Sequence, residues 1–162
     1  MDALRYSNYD IVFQEVPGEV TLAINITGCP HHCPGCHSEH LWEYFGELLL
    51  QDLESIISRY DGMITCVALM GGDQNVKEVQ TALKIVKYLG IKTCVYFGSD
   101  TMTEIQEIVN DLDYFKIGSY KQSLGGLDSA ATNQRFYQVI NGEITDITYK
   151  FQNKPMAHLM ED

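Results

Sequence analysis

Three cysteines, Cys29, Cys33 and Cys36, lie within eight residues of one another in the stretch TGCPHHCPGCHSEHLW. The spacing C-x3-C-x2-C lets three thiolates bind three corners of one small iron–sulfur cluster, whose four irons are usually all held by cysteine. Because no fourth cysteine stands nearby, one iron would remain open. An open position on a bound metal indicates chemistry rather than a structural role. The two remaining cysteines, Cys66 and Cys94, are expected to be buried hydrophobic residues and not ligands.

The same stretch also suits a structural zinc site. Cys33 and Cys36 form a C-x2-C pair, and zinc accepts mixed sets of cysteine and histidine. Four histidines lie in or beside the stretch: His31, His32, His37 and His40. His37 is a candidate for a hydrogen bond to a cluster ligand, and the other three are expected at the loop surface. A simple electron-transfer iron–sulfur protein is a further alternative, but it would need a fourth protein ligand.

A double glycine followed by an acid, Gly71-Gly72-Asp73, forms the second candidate site. Two glycines after a short apolar run allow a backbone to approach a ligand closely. Their open N–H and C=O groups suit the amino group of an amino acid, and the carboxylate of Asp73 suits an ammonium. A double glycine after a strand is more often a plain turn, so this interpretation depends on what lies nearby.

Lys116 is the third candidate, because it stands in the otherwise apolar stretch DYFKIGSY. A buried charge is costly unless it is paired. Lys116 therefore either points to solvent from an edge position or binds an anionic group such as a carboxylate. Tyr96, Ser99 and Asp113 are weaker polar candidates near the ends of predicted strands.

The segments around these residues alternate between strand and helix. Strands are predicted at 11–13, 20–26, 66–70, 93–97 and 114–117. Helices are predicted around Leu53–Tyr60, from a cap at Asn75 to Gly90, and from a cap at Thr103 to Leu112. Such alternation implies βαβ units whose strands are parallel. The carboxyl ends of parallel strands share one edge, where active sites are built, so the three candidate sites should converge there.

The length and the last third of the chain complete the predicted fold. The 162 residues predict a single domain spanning 1–162, well short of the roughly 250 residues of a complete βα barrel. The fold class is therefore predicted as α/β, an incomplete (partial) βα barrel with a mostly parallel sheet. Asn141-Gly142, flanked by β-prone residues, predicts a C-terminal β-hairpin of strands 136–140 and 144–149. The tail after Lys154-Pro155 is expected to be loosely ordered.

The composition excludes several classes of function. Lys plus Arg number 11 against 22 Asp plus Glu, a formal net charge of −11, and no basic cluster offers contacts to phosphates. Nucleic-acid binding is therefore not expected. The N-terminus lacks a signal-peptide pattern, and no apolar run approaches the roughly 20 residues of a membrane span. Crowded cysteines in odd number fit a reducing compartment, so a cytoplasmic location is expected.

The cysteine spacing and its surroundings resemble the radical S-adenosylmethionine (SAM) superfamily. Within it, GCPHHCPGCHSEHLW is similar to the cluster loop of the activating proteins of anaerobic ribonucleoside-triphosphate reductases. DYFKIGSY and GGLDSAATNQRFYQVINGEITDITYKF are similar to the C-terminal half of that family. The resemblance runs from about Val20 to Phe151, and the segment Leu127–Tyr137 separates this family from other small radical SAM enzymes. Two departures are Asp73 for the usual Glu and Ser38 where Asn is common.

The resemblance implies a [4Fe–4S] cluster on the three cysteines, with SAM chelating the fourth iron. The residues implied to contact SAM or tune the cluster are Gly71, Gly72, Asp73, Tyr96, Asp113, Lys116 and His37. One electron from the reduced cluster splits the sulfonium into methionine and a 5′-deoxyadenosyl radical. That radical takes a hydrogen atom from a glycine Cα of the large catalytic subunit of the reductase, leaving a glycyl radical.

The resemblance also implies partners. The electron would come from a low-potential donor such as flavodoxin, and Thr132–Arg135 would be a docking or closing element for the large subunit. An activase of another glycyl-radical enzyme, such as pyruvate formate-lyase, is the nearest alternative, although Asn133-Gln134-Arg135 argues against it.

Overall fold

The computed structural model of the chain describes residues 2–36 and 38–152. The strands among them are β1 Arg5–Val12, β2 Thr21–Ile26, β3 Glu47–Leu48, β4 Cys66–Met70, β5 Lys92–Tyr96, β6 Tyr114–Ile117, β7 Arg135–Ile140 and β8 Glu143–Asp146. The α-helices are α1 Leu49–Ser58, α2 Val76–Tyr88 and α3 Thr103–Ile108. The tail expected to be loosely ordered lies outside the described residues.

The strands form one open mixed sheet in the order β3-β1-β2-β4-β5-β6-β7-β8. The central strands β2, β4, β5 and β6 are parallel, which confirms the predicted βαβ arrangement. Antiparallel strands extend both sides, so the sheet is mixed rather than mostly parallel. The partial barrel is not confirmed. The C-terminal hairpin is confirmed, and positive φ at both Asn141 and Gly142 gives its turn the twist that matches the strands.

The first hydrophobic core lies between the sheet and its helices. Leu53, Ile56 and Ile57 of α1 are buried there, as their spacing predicts. The predicted cap of α2 is confirmed, because the Asn75 side chain accepts a hydrogen bond from the Glu78 N–H at 3.2 Å. The predicted cap at Thr103 is wrong, since α3 begins at that residue after Met102 and has no side-chain cap.

A second, smaller core covers the other face of the sheet. Cys66 and Cys94 are fully buried in it, as expected for cysteines that behave as small hydrophobes. This core also includes Val16, from the connection between β1 and β2, and Phe151. Phe151 belongs to a 3-10 helix, Thr148–Phe151, which follows β8.

The edge strands differ most from the prediction. β1 begins at Arg5, well before the predicted 11–13, and the two-residue β3 was not predicted at all. The sequence of β1, RYSNYDIV, buries only Tyr6, so it carries little hydrophobic signal. β8 ends at Asp146, before the predicted 149, because the Asp146 side chain accepts a hydrogen bond from the Thr148 N–H at 2.9 Å and starts the 3-10 turn. No helix among the described residues is long and apolar enough to cross a bilayer.

Candidate metal centre

The loop that carries the three cysteines directly follows β2 and is closed by backbone hydrogen bonds. The N–H groups of Gly28 and Cys29 both donate to the Leu41 carbonyl, at 2.8 and 3.0 Å. The Cys36 N–H donates to the Cys33 carbonyl at 3.1 Å, which forms the tight turn that Pro34-Gly35 suits. All three cysteines are unpaired and half-buried. They line one cavity of about 660 Å³.

Stacking and close packing hold the loop in place. The rings of His32 and Trp42 stack at 4.5 Å between centroids and 3° between planes. On the other side, Gln122 packs so tightly on Gly35 that a Cβ there would lie 2.9 Å from the Gln122 side chain. The connection between β6 and β7, which carries Gln122, therefore contacts the cysteine loop directly.

The double glycine ends β4 and reaches the same cavity. Gly71 and Gly72 have φ of +121° and +110°, a region that side-chain-bearing residues rarely adopt. A Cβ on Gly72 would also lie 2.7 Å from a methyl group of Val79 in α2. Both glycines and Asp73 line the cavity beside the cysteines. The predicted convergence of these residues at the carboxyl edge of the parallel strands is confirmed.

Asp73 is tied to two other elements by one of its oxygens. Its Oδ2 lies 2.6 Å from His31 Nε2 in the cysteine loop. The same oxygen accepts hydrogen bonds from the N–H groups of Gly98 and Ser99, after β5, each at 3.2 Å. The carboxylate thus joins the cysteine loop, the end of β4 and the end of β5.

Lys116 lies on β6 with its ammonium inside the protein, 9% exposed. Its Nζ donates to the carbonyls of Phe97 and Gly118 at 3.1 and 2.8 Å. These two bonds leave the third ammonium hydrogen available, and Lys116 lines the cavity. Burial lowers the pKa of Lys116 to about 8, although the negative potential of Asp73 and the cysteines opposes that shift. The alternative of an edge lysine pointing to solvent is therefore wrong.

The donor set and the space fit an iron–sulfur cluster with a further ligand. Three thiols suit iron, and the cavity also holds glycine backbone, a carboxylate and a buried ammonium. A cavity of this volume is within the range of small-molecule and cofactor sites. Among residues 2–36 and 38–152, no three His, Cys, Asp or Glu side chains are grouped so as to hold a single metal ion.

A family model described as a 4Fe-4S single cluster domain matches residues 16–140, more than half of the chain. The chain belongs to this family. The match includes all three cysteines of the loop and favours iron–sulfur over zinc. No curated protein gives a significant match to the chain.

Three other residues of the 4Fe–4S domain were predicted to belong to the site: Tyr96, Ser99 and His37. Tyr96 lines the cavity, although its hydroxyl is held by the Glu15 carbonyl and burial raises its pKa well above the usual value. Ser99 touches Asp73 through its backbone N–H. His37 lies outside the described residues.

The structure does not bring Asp113 to the cavity. Asp113 precedes β6, at the amino end of the parallel strands, whereas the cavity lies at their carboxyl end. Its carboxylate accepts hydrogen bonds from the N–H and the hydroxyl of Thr93 at 3.0 and 3.4 Å. The prediction that Asp113 contacts a cofactor is therefore set aside for a geometric reason.

Several residues at the cavity of the 4Fe–4S domain were not predicted. His31 was expected at the loop surface, yet it reaches Asp73, 42 residues later. The others that line the cavity without having been singled out include Trp42, Gln74, Tyr120 and Asp128. No local pattern marks these residues, because their convergence depends on how separate loops fold over one edge of the sheet.

Proposed function

We propose that this 4Fe–4S domain is a radical SAM enzyme that activates an anaerobic ribonucleoside-triphosphate reductase. The observation that carries the proposal is that three cysteines, and not four, share a cavity with a buried ammonium and an acid-bearing glycine turn. The two other cysteines, Cys66 and Cys94, are fully buried in the second core and do not line the cavity. A cluster on the loop would keep one iron for a non-protein ligand.

The polar groups of the cavity match the two ends of an amino acid. A carboxylate attracts an ammonium, and Asp73 offers one beside the left-handed backbone of Gly71 and Gly72. Lys116 has one ammonium hydrogen left after its two bonds to carbonyls, which suits a carboxylate. The methionyl part of SAM carries both groups, so these residues would orient it across the loop of Cys29, Cys33 and Cys36.

When bound, the reduced cluster and SAM supply one-electron cleavage of the sulfonium and removal of a hydrogen atom from a substrate carbon. The protein contributes positioning and protection of that chemistry from water. The second core lies under the cavity, where the ring of Tyr96 packs against Phe136 with centroids 5.8 Å apart. Such packing closes the floor of the site with apolar surface.

The proposed substrate is a glycine of the large catalytic subunit of the reductase. The resemblance of the segment 127–137 supports this choice, and Gln134 of that segment lines the cavity. A protein loop needs a site that is open on one side, and the sheet is open rather than closed into a barrel. A low-potential donor such as flavodoxin would supply the electron.

The first experiment is electron paramagnetic resonance of the anaerobically reconstituted, reduced protein with and without SAM. We expect a [4Fe–4S]⁺ signal that changes when SAM is added. A cluster signal that does not change with SAM would favour simple electron transfer. A colourless protein that contains zinc would contradict the proposed radical SAM activity.

The second experiment identifies the partner. The reduced protein and SAM are mixed with the large subunit of the reductase or, in a parallel sample, with pyruvate formate-lyase. We expect a glycyl radical signal only with the reductase. A Cys33→Ala variant is the control and should give no radical with either protein. A radical on pyruvate formate-lyase alone would show that the partner is wrong while the chemistry is right.

A further inference from the structure

A short polar contact between His31 and Asp73 joins the cysteine loop to the sheet edge. The 2.6 Å separation of Nε2 and Oδ2 is short for a nitrogen–oxygen pair. The Asp73 side chain is 5% exposed and that of His31 is 27% exposed. With the N–H groups of Gly98 and Ser99, three donors converge on one carboxylate oxygen.

Gly98 shapes the surface on which His31 rests. A Cβ on Gly98 would lie 2.6 Å from the His31 ring atom Cδ2, closer than real side chains approach each other. The φ of Gly98 is outside the left-handed region, so its backbone would accept an alanine. The absence of a side chain at this position therefore serves the imidazole and not the local backbone.

The other oxygen of Asp73 takes no part in these bonds. All three hydrogen bonds that Asp73 accepts from His31, Gly98 and Ser99 end on Oδ2, and Asp73 lines the cavity. A carboxylate can accept about four hydrogen bonds in total, so Oδ1 keeps its own capacity. Fixing one oxygen also fixes the direction of the other.

We infer that His31 is a positioning residue: it holds Oδ2 of Asp73 so that Oδ1 is presented to the ammonium of a bound amino-acid ligand. This inference rests on the proposed function, because the ligand is the methionyl part of SAM. Asp73 is one methylene shorter than a glutamate and has less reach. A fixed carboxylate loses less conformational freedom when it binds a ligand, which strengthens the contact.

The test compares two uncleavable ligands on the cluster-loaded protein. These are S-adenosylhomocysteine and its deaminated form, in which hydrogen replaces the amino group. We expect the wild type to bind the amino-bearing ligand more tightly. His31→Ala should weaken that ligand about ten-fold, the value of one hydrogen bond to a charged group, and should leave the deaminated ligand within about two-fold.

Three further variants show whether His31 acts through Asp73. Asp73→Asn should remove the preference for the amino group, and the double variant His31→Ala/Asp73→Asn should bind no more weakly than Asp73→Asn alone. Gly98→Ala should reproduce His31→Ala by displacing the ring, and His31→Gln, which keeps a donor, should recover most of the affinity. His40→Ala, which replaces an exposed histidine four residues beyond Cys36, is the matched control and should behave as wild type.

The outcomes separate the inference from the proposed function. A wild type that holds its cluster but binds neither ligand would contradict both. If the wild type binds both ligands and His31→Ala keeps the same preference for the amino-bearing ligand, only the positioning role of His31 would be overturned. Additive losses in the double variant, or a loss of cluster iron that accounts for weaker binding, would overturn it as well.

Discussion

Glu19 and Lys116 are buried charged side chains at opposite ends of the central parallel strands, and their charges are compensated differently. At the amino end, Glu19 is 8% exposed and accepts hydrogen bonds from Tyr114, Thr65 and Lys92 at 2.6, 2.7 and 2.9 Å. At the carboxyl end, Lys116 is 9% exposed and donates to two carbonyls. Glu19 has a cation within reach, whereas Lys116 forms no ion pair among the described residues.

The difference shows in the direction of each pKa shift. Burial alone would raise the pKa of Glu19, but the hydrogen bonds from Tyr114, Lys92 and Thr65 lower it below the usual value. For Lys116 burial prevails, and its pKa falls from 10.5 to about 8. The charge of Glu19 is stabilised by three hydrogen bonds, one of them from the ammonium of Lys92. Under the proposed function, the charge of Lys116 is left in part for a ligand, as expected of a binding site rather than a structural network.

The largest expected effect separates the cysteines of the two regions. Replacing Cys29, Cys33 or Cys36 by Ala should abolish cluster assembly and SAM cleavage, because each thiolate would hold one iron of the proposed cluster. Cys66→Ala and Cys94→Ala should keep the cluster and lower the free energy of unfolding by about 1 kcal/mol through lost packing. Iron and sulfide analysis with urea unfolding measures both quantities. Wild-type turnover in a loop variant, or iron loss in a core variant, would show that the ligands are misassigned.

The next effect contrasts the two buried charges themselves. Lys116→Met should weaken the binding of S-adenosylhomocysteine at least ten-fold, about 1.4 kcal/mol or more. Its free energy of unfolding should change little, since relief of a desolvation cost of about 3 kcal/mol offsets the loss of the two hydrogen bonds to carbonyls. The Gly118 carbonyl also keeps a donor, the Gln134 side-chain amide at 3.5 Å. Glu19→Gln should do the reverse, with an unfolding free energy lower by about 2 kcal/mol and ligand affinity within about two-fold. If both substitutions lowered the ligand affinity equally, the assignment of Lys116 to ligand binding and of Glu19 to stability would be wrong.

The sequence predicts those features that depend on contacts between residues close together in the chain. The central strands, the cap at Asn75 and the turn at Asn141-Gly142 follow from local patterns, and the structure confirms them. Parallel strands place the cysteine loop and Gly71-Gly72 at one edge, so the site could be located without coordinates. Lys116 also could be found, because a charge in an apolar strand needs a reason.

The errors arise where long-range contacts decide. β3 pairs with β1 over two residues only, too short for any periodicity to show. His31 looks like a surface residue because its partner is distant in sequence, although the two side chains are in contact. Asp113 is a candidate from sequence because it stands beside a strand that reaches the site, but it lies at the opposite end of that strand.

A smaller effect is expected in the pH dependence of the free energy of unfolding, and it involves only Glu19 at the amino end of the strands. The pKa of Glu19 is lower in the folded protein than its ordinary 4.5, so the unfolded chain takes up the proton first as pH falls. The stabilisation by Glu19 is therefore complete above about pH 4.5 and disappears as pH drops through the folded pKa. Urea unfolding of wild type and Glu19→Gln should give free energies that converge below pH 4.5. A difference between the two that stays constant from pH 7 to pH 3 would show that the carboxylate is not the stabilising form.

The smallest expected effect concerns Asp113, and it tests whether the amino end takes any part in binding. Asp113→Asn keeps an oxygen that can accept the hydrogen bonds from the Thr93 N–H and hydroxyl, so the unfolding free energy should fall by only about 1 kcal/mol. Affinity for S-adenosylhomocysteine should remain within about two-fold of wild type, because the length of β6 separates Asp113 from the cavity. Calorimetry on the two proteins side by side measures this. A ten-fold loss of affinity would mean that the two ends of the sheet are coupled, since Asp113 is not among the described residues that line the cavity.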